Sequence, residues 1–151
     1  MTRRQSLPEQ WLIVDQGLNA AAWTAIRRLP RSSGVLMIGR LAAKDGRRLR
    51  VAARQRQLMI VFEGRRSAAR VHNQRELTRA LLRRAVLILV SPVYPTNSHP
   101  EWKSIPRMRA AALASLAERH AVALGGMNAR RYANVAQLGF IGWAGISAFR
   151  T

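Results

Sequence analysis

Short apolar runs that alternate with longer amphipathic segments constrain the fold of this chain more than any other feature. Each apolar run is predicted to be a strand: 11–15, 35–38, 58–62, 68–71, 86–90, 121–124 and 140–146. The segments with helical apolar spacing predict helices at 18–29, 42–57, 74–85, 105–120 and 129–138. Strands that alternate with helices of this length indicate an α/β fold with a parallel sheet and helical crossovers.

The alternation fails between the third and fourth predicted strands. Only residues 63–67 separate these two strands. A crossover helix with its loops needs about a dozen residues, so no helix fits there. We therefore expect one helical crossover to be missing after the third strand.

Composition narrows the functional classes. The formal net charge is +19, from 26 Lys and Arg against 7 Asp and Glu, so polyanions are attracted and nucleic acid is not excluded as a partner. The arginines are spread over every predicted helix, which favours a solvated basic surface. The chain has no cysteine, which excludes a disulfide framework and a thiolate metal site.

The sequence predicts a single domain over residues 1–151 that does not enter a membrane. No apolar run approaches the length that spans a bilayer. The first residues carry charge without an apolar run of their own behind them, so no secretory signal is predicted. We expect a cytoplasmic protein.

Loops at the ends of the last three predicted strands contain hydroxyl groups and glycines. They are 91–99, 123–128 and 145–147. Ligands of α/β proteins bind at the carboxyl ends of parallel strands, so these loops indicate a phosphate site built from hydroxyls and backbone N–H groups. Each loop alone has a simpler interpretation, in which the glycine makes a turn and the hydroxyl caps a helix.

The same loops resemble those of the thiamine phosphate synthase and thiazole tautomerase superfamily. Residues 91–99 (SPVYPTNSH) are similar to the family pattern GPVFxTxTK, 123–127 (ALGGM) to AIGGI, and 146–149 (ISAF) to VSAI. Residues 71–76 (VHNQRE) resemble the end of the family's fifth strand, VSxHxxxE. The motifs occur in the family's order. Most of the matching positions lie within residues 71–149, and few precede residue 71.

The resemblance implies a TIM-barrel-like (β/α) barrel. Because a complete barrel takes about 200 to 250 residues, a chain of 151 is expected to form a shortened barrel, with seven strands and one βα unit missing after strand three. The barrel could close with seven strands, stay open, or be completed by a second subunit as a homo-oligomer.

The resemblance also implies a transferase that joins hydroxymethylpyrimidine diphosphate to a thiazole phosphate and releases diphosphate. Its partners would be small phosphorylated substrates, and its cofactor Mg²⁺. Carried over position by position, the residues that bind substrate phosphate would be Thr96, Asn97, Ser98, Gly125, Gly126, Ile146 and Ser147.

Several positions depart from the family pattern, mostly on the diphosphate side. His99 stands where the family has lysine, and Arg40 alone survives from the family's strand-two motif. Glu63 is the candidate magnesium ligand, with a surface carboxylate as the simpler interpretation. His72 corresponds to a proton-transfer position of the tautomerases. The candidate catalytic residues are thus His99, His72 and Arg40.

Two alternatives to the synthase stay open. One is a thiazole tautomerase-like isomerase, which needs no diphosphate site. The other is a degenerate barrel that binds phosphate or polyanions without catalysis.

Overall fold

The structure, a computed structural model, describes residues 6–64 and 67–149, apart from the side chain of Ser147. Over these residues the chain forms seven strands: β1 (Gln10–Val14), β2 (Gly34–Met37), β3 (Met59–Phe62), β4 (Ala68–Val71), β5 (Leu87–Val90), β6 (Ala121–Leu124) and β7 (Gly142–Gly145). Its α-helices are α1 (Ala20–Arg28), α2 (Ala43–Arg56), α3 (Gln74–Leu82), α4 (Arg107–Ala117) and α5 (Ala129–Val135). Short 3₁₀ turns follow α4, α5 and β7.

All seven strands belong to one parallel sheet in the order β3-β2-β1-β7-β6-β5-β4. The sheet curls into a half-barrel with its helices outside. This arrangement confirms the shortened barrel that lacks one βα unit after the third strand.

The missing unit leaves a seam between β3 and β4, which follow each other in the chain but lie at opposite edges of the sheet. Among the described residues, this seam is joined by short contacts and no parallel ladder. Glu63 and Arg70 form an ion pair across it, with 3.1 Å between Oε1 and Nε. Gly64 and Ala68 form one isolated antiparallel bridge.

The inner face of the sheet has a core to which both ends of the chain contribute. It comprises Trp11, Ile13, Leu36, Val61, Ala68, Leu87, Leu89, Val122 and Ala144. Two separate clusters lie on the outer face, one beneath α1 and α2 and one beneath α3, α4 and α5. The inner core is therefore the apolar layer that joins the two sides of the molecule.

Trp11 is the largest side chain of the inner core and is fully buried. Its Nε1 donates a hydrogen bond to the carbonyl of Pro8 at 2.8 Å. Gly34 lies opposite on β2, where a Cβ atom would overlap the indole ring. The smallest residue therefore pairs with the largest in this layer.

Asparagine side chains set the start of three helices. The Oδ1 atoms of Asn19, Asn73 and Asn128 accept hydrogen bonds from backbone N–H groups of the first turns of α1, α3 and α5. The predicted start of α4 at residue 105 was wrong, because Pro106 has an extended conformation (φ −53°, ψ 139°) and the helix begins after it.

None of the described helices combines the length and the apolar character needed to cross a bilayer.

Candidate functional site

A cavity of about 790 Å³ lies at the carboxyl ends of the strands. Most of its wall comes from the loops after β5, β6 and β7. Ile13 and Asp15 at the end of β1, and Arg70 on β4, complete it. The cavity thus occupies the edge of the sheet where the sequence predicted a ligand site.

The structure brings nearly all the predicted phosphate-binding residues to this one cavity. Those that line it are Thr96, Asn97, Ser98, Gly125, Gly126 and Ile146. The backbone of Ser147 follows directly, while its side chain lies outside the described part of the chain. Their contact with a phosphate stays a prediction.

Backbone hydrogen bonds fix the β5–α4 loop against the β6–α5 loop. The N–H of Val93 donates to Leu124 at 2.9 Å, and the N–H of Tyr94 donates to Gly125 at 3.1 Å. The peptide bond between Ser91 and Pro92 is cis. Two of the three predicted loops are therefore held together before any ligand binds.

The two glycines of the β6–α5 loop are required by this loop contact. Gly125 and Gly126 have φ values of +104° and +58°, which side-chain-bearing residues rarely adopt. A Cβ on Gly125 would lie 2.8 Å from the Cα of Pro92, and one on Gly126 would overlap the carbonyl oxygen of Pro95. The space beside each glycine is occupied by the neighbouring loop, so any contribution to an anion comes from their N–H groups.

Several backbone donors at the cavity are unpaired. Among the described residues, the N–H groups of Gly125, Gly126 and Ile146 have no protein acceptor. They belong to residues that line one cavity, where an anion could accept hydrogen bonds from them. The hydroxyl of Thr96 already accepts a bond from the N–H of Ser98 at 3.3 Å, which orders the hydroxyl-bearing part of the wall.

Arg131 is a cation at the cavity that the sequence analysis missed. Its Nη1 donates to the carbonyl of Gly126 at 2.5 Å, and its guanidinium lies 4.8 Å from the ring centroid of Tyr94. The backbone N–H of Arg131 donates a hydrogen bond to the capping Oδ1 of Asn128 at 2.8 Å. The signal was present, since Asn128 is a good helix cap and the arginine follows within the first turn.

Trp102 also lines the cavity and was also missed. Its indole stacks on the imidazole of His99, with the centroids 3.9 Å apart and the planes 9° apart. His99 lies 3.4 Å from the carboxylate of Glu101. The candidate catalytic residue His99 is therefore part of an aromatic pair in the cavity wall.

The family assignment follows from the second part of the chain. Residues 53–149 match the family TMP-TENI, described as thiamine monophosphate synthase. The chain belongs to this family. The resemblance seen in the loop motifs is thus confirmed, and the family match spans the three loops that form most of the cavity wall.

Solved structures agree on the fold. A thiamine phosphate pyrophosphorylase from Pyrococcus furiosus is 16% identical with a TM-score of 0.76, covering 97% of this chain and 89% of that chain. Another from Bacteroides thetaiotaomicron is 13% identical with a TM-score of 0.56, covering 93% and 83%. A comparison with curated proteins gave no match.

Three candidate residues derived from the family pattern lie outside the cavity wall: Arg40, His72 and Glu63. Arg40 is exposed on the loop after β2. Nδ1 of His72 lies 2.5 Å from the carbonyl oxygen of Ser91. A carbonyl only accepts, so Nδ1 carries the proton and Nε2 is the basic nitrogen of the neutral ring.

The expected Mg²⁺ stays a prediction, and the residues present would leave most of its coordination to substrate phosphates and water. Glu63 is paired with Arg70 across the seam. The described residues contain no group of three or more His, Cys, Asp or Glu side chains that could hold a metal. We therefore assign no step of the chemistry below to Mg²⁺.

Proposed function

We propose that this chain is a thiamine phosphate synthase-like transferase that joins hydroxymethylpyrimidine diphosphate to a thiazole phosphate and releases diphosphate. The observation that carries the proposal is the convergence of three family motifs on one cavity. Donors and cations meet there, as a site for phosphorylated substrates requires.

The thiazole phosphate is assigned to the side of the cavity formed by the last three strand ends. The hydroxyls of Thr96 and Ser98 and the unpaired N–H groups of Gly126 and Ile146 supply neutral donors. Arg131 supplies a charge next to them. Hydrogen bonds to a charged group are about twice as strong as neutral ones, so this set favours an anion over a neutral ligand.

The chemical step breaks the bond between the pyrimidine methylene carbon and the diphosphate oxygen. The electron pair leaves with the diphosphate, and the lone pair of the thiazole nitrogen captures the resulting cation to form the new carbon–nitrogen bond. The leaving diphosphate gains negative charge, which fixed cations at the site stabilise. Arg70 and Arg131 are the arginines that line the cavity, and guanidinium groups bind phosphate oxygens bidentately.

A thiazole tautomerase-like isomerase is the second candidate. The observation that favours it is the position of His99 in the cavity wall. Histidine can both accept and donate a proton near neutral pH. An isomerase would use the phosphate side of the cavity and need no diphosphate site.

The two candidates are separated by incubating the purified protein with both synthase substrates, with and without Mg²⁺, and measuring thiamine phosphate by chromatography. Formation of product that Gly126→Asp abolishes supports the transferase. Absence of product, together with isomerisation of a thiazole carboxylate phosphate, replaces it by the isomerase. If a thiazole phosphate at millimolar concentration does not raise the melting temperature, the phosphate site itself is wrong.

A further inference from the structure

Trp102 differs from the other tryptophans of the chain by its exposure. It is 38% exposed, whereas Trp11, Trp23 and Trp143 are between 0% and 7% exposed. Exposed aromatic surface is energetically unfavourable in water, and this one lines the cavity. Trp102 therefore does not serve as a core residue, and its indole is available to a ligand in the cavity.

Two histidines surround Trp102 with different geometries. His99 lies parallel to it at 3.9 Å, and His72 meets it edge-on at 6.0 Å with an interplanar angle of 69°. We call these three rings the aromatic shelf. Offset-parallel and edge-to-face contacts are the favoured arrangements of aromatic rings, so each ring restrains the next.

The aromatic shelf is attached to two strand ends. His72 follows β4 and is fixed through Nδ1 to the carbonyl of Ser91 after β5. The N–H of Trp102 donates to the carbonyl of His99 at 3.0 Å, closing the turn that places the two rings together. The shelf is therefore positioned by the sheet as well as by its own loop.

We propose that Trp102, held in place within the aromatic shelf by His99 and His72, binds the planar heterocycle of the phosphorylated ligand. Thr96 and Ser98 precede Trp102 on the same loop, and all three residues line the same cavity. A phosphate held at Thr96 and Ser98 leaves the attached ring facing an aromatic wall. A ring that stacks there extends an existing stack and removes exposed indole surface from water.

This inference rests on the proposed phosphate site and adds a preference for aromatic over aliphatic phosphates. An aromatic phosphate contacts both the donors and the shelf, whereas an aliphatic phosphate contacts only the donors. We expect Trp102 to determine this preference and to leave phosphate affinity itself unchanged.

The test is isothermal titration of wild type, Trp102→Leu and Trp102→Phe with a thiazole phosphate and with ethyl phosphate. We expect Trp102→Leu to weaken binding of the thiazole phosphate about tenfold and to leave ethyl phosphate within about twofold, with Trp102→Phe recovering most of the loss. Equal losses for both phosphates, or no loss for the thiazole phosphate, would overturn the shelf.

A third ligand separates failure of the shelf from failure of the phosphate site. The unphosphorylated thiazole alcohol carries the ring alone, and its binding is followed by isothermal titration at high ligand concentration, a readout that does not depend on Trp102 fluorescence. If neither phosphate binds but the alcohol binds to the wild type and not to Trp102→Leu, the phosphate site is wrong and the shelf stands. If no aromatic ligand shows binding that depends on Trp102, the shelf is wrong.

Discussion

The amino-terminal half of the molecule (β1–β3 with α1 and α2) and the carboxyl-terminal half (β4–β7 with α3–α5) share one sheet but contribute very differently to the cavity. Ile13 and Asp15 are the amino-terminal residues in its wall, and every other lining residue is carboxyl-terminal. Each half has its own outer core, while the inner core takes residues from both. The shared inner core therefore joins the two halves, whereas the cavity wall comes mainly from one of them.

Glycines after the strands show the same contrast at the level of single residues. Gly39 follows β2 with φ +89° and has open space where its Cβ would be. Gly126 follows β6 with φ +58° and is enclosed by the neighbouring loop. The carboxyl-terminal loops are packed against each other into a wall, whereas the loop after β2 is free of such a constraint at Gly39.

The largest expected effect concerns the inner core that joins the halves. Trp11→Ala removes a fully buried indole and should lower the free energy of unfolding by about 3–5 kcal/mol, measured by urea denaturation followed by circular dichroism. Trp102→Ala is the matched control, because this tryptophan is 38% exposed. Equal costs for the two variants would contradict the shared inner core.

The second largest effect is expected on ligand affinity, which should respond to a glycine substitution in the carboxyl-terminal half and not to one in the amino-terminal half. Gly126→Ala should displace the loop against Pro95 and reduce affinity for a thiazole phosphate about 100-fold, since a displacement near 1 Å in a binding site has effects of this size. Gly39→Ala has similar left-handed strain without a steric clash and should leave affinity within about twofold. Isothermal titration of both variants with a thiazole phosphate measures these affinities. A comparable loss of affinity in Gly39→Ala would contradict the unequal contribution of the two halves to the site.

Two helix-cap variants are expected to lose the same stability but to differ in ligand binding. Asn19 and Asn128 cap α1 and α5 by the same hydrogen bond, so each change to alanine should lower the free energy of unfolding by about 1 kcal/mol. Only Asn128→Ala should weaken thiazole phosphate binding, by about three- to tenfold, because its cap bond holds the backbone of Arg131. If Asn19→Ala weakens binding as much, the loss reflects stability alone.

The smallest effect is expected at the seam. Glu63 and Arg70 are each 32% exposed, so Glu63→Gln should change the free energy of unfolding by about 0–1 kcal/mol in thermal or urea unfolding. It also releases the guanidinium of Arg70, which lines the cavity, and should modestly tighten diphosphate binding. A loss of diphosphate affinity that added Mg²⁺ accentuates would instead identify Glu63 as a metal ligand.

Local patterns predicted the strands and the missing crossover because both depend on the chain itself. An apolar run as short as 86–90 is typical of a strand buried in a parallel sheet, and the five residues 63–67 are too few for a crossover helix. Helix ends were less certain, as Pro106 shows. There the proline serves as the cap of α4, and the helix begins only with the next residue.

The side-chain arrangement of the site could be predicted only in part. The motifs placed Thr96, Gly126 and Ile146 together because strand ends of a parallel sheet meet at one edge. The stacking of His99 on Trp102, and the pairing of Glu63 with Arg70, depend on how loops and edges meet in three dimensions. No local pattern encodes such contacts. The role of Arg40, taken from the family pattern, stays a prediction, and Arg40 is not among the residues that line the cavity.

A crystal structure of the protein with a thiazole phosphate would show directly whether the three carboxyl-terminal loops bind it. We expect the phosphate between the loops after β5, β6 and β7, within hydrogen-bond distance of the N–H groups of Gly126 and Ile146, with the thiazole ring on Trp102. A phosphate bound instead at the loop after β2 near Arg40, or on the basic outer surface of α2, would contradict this expectation.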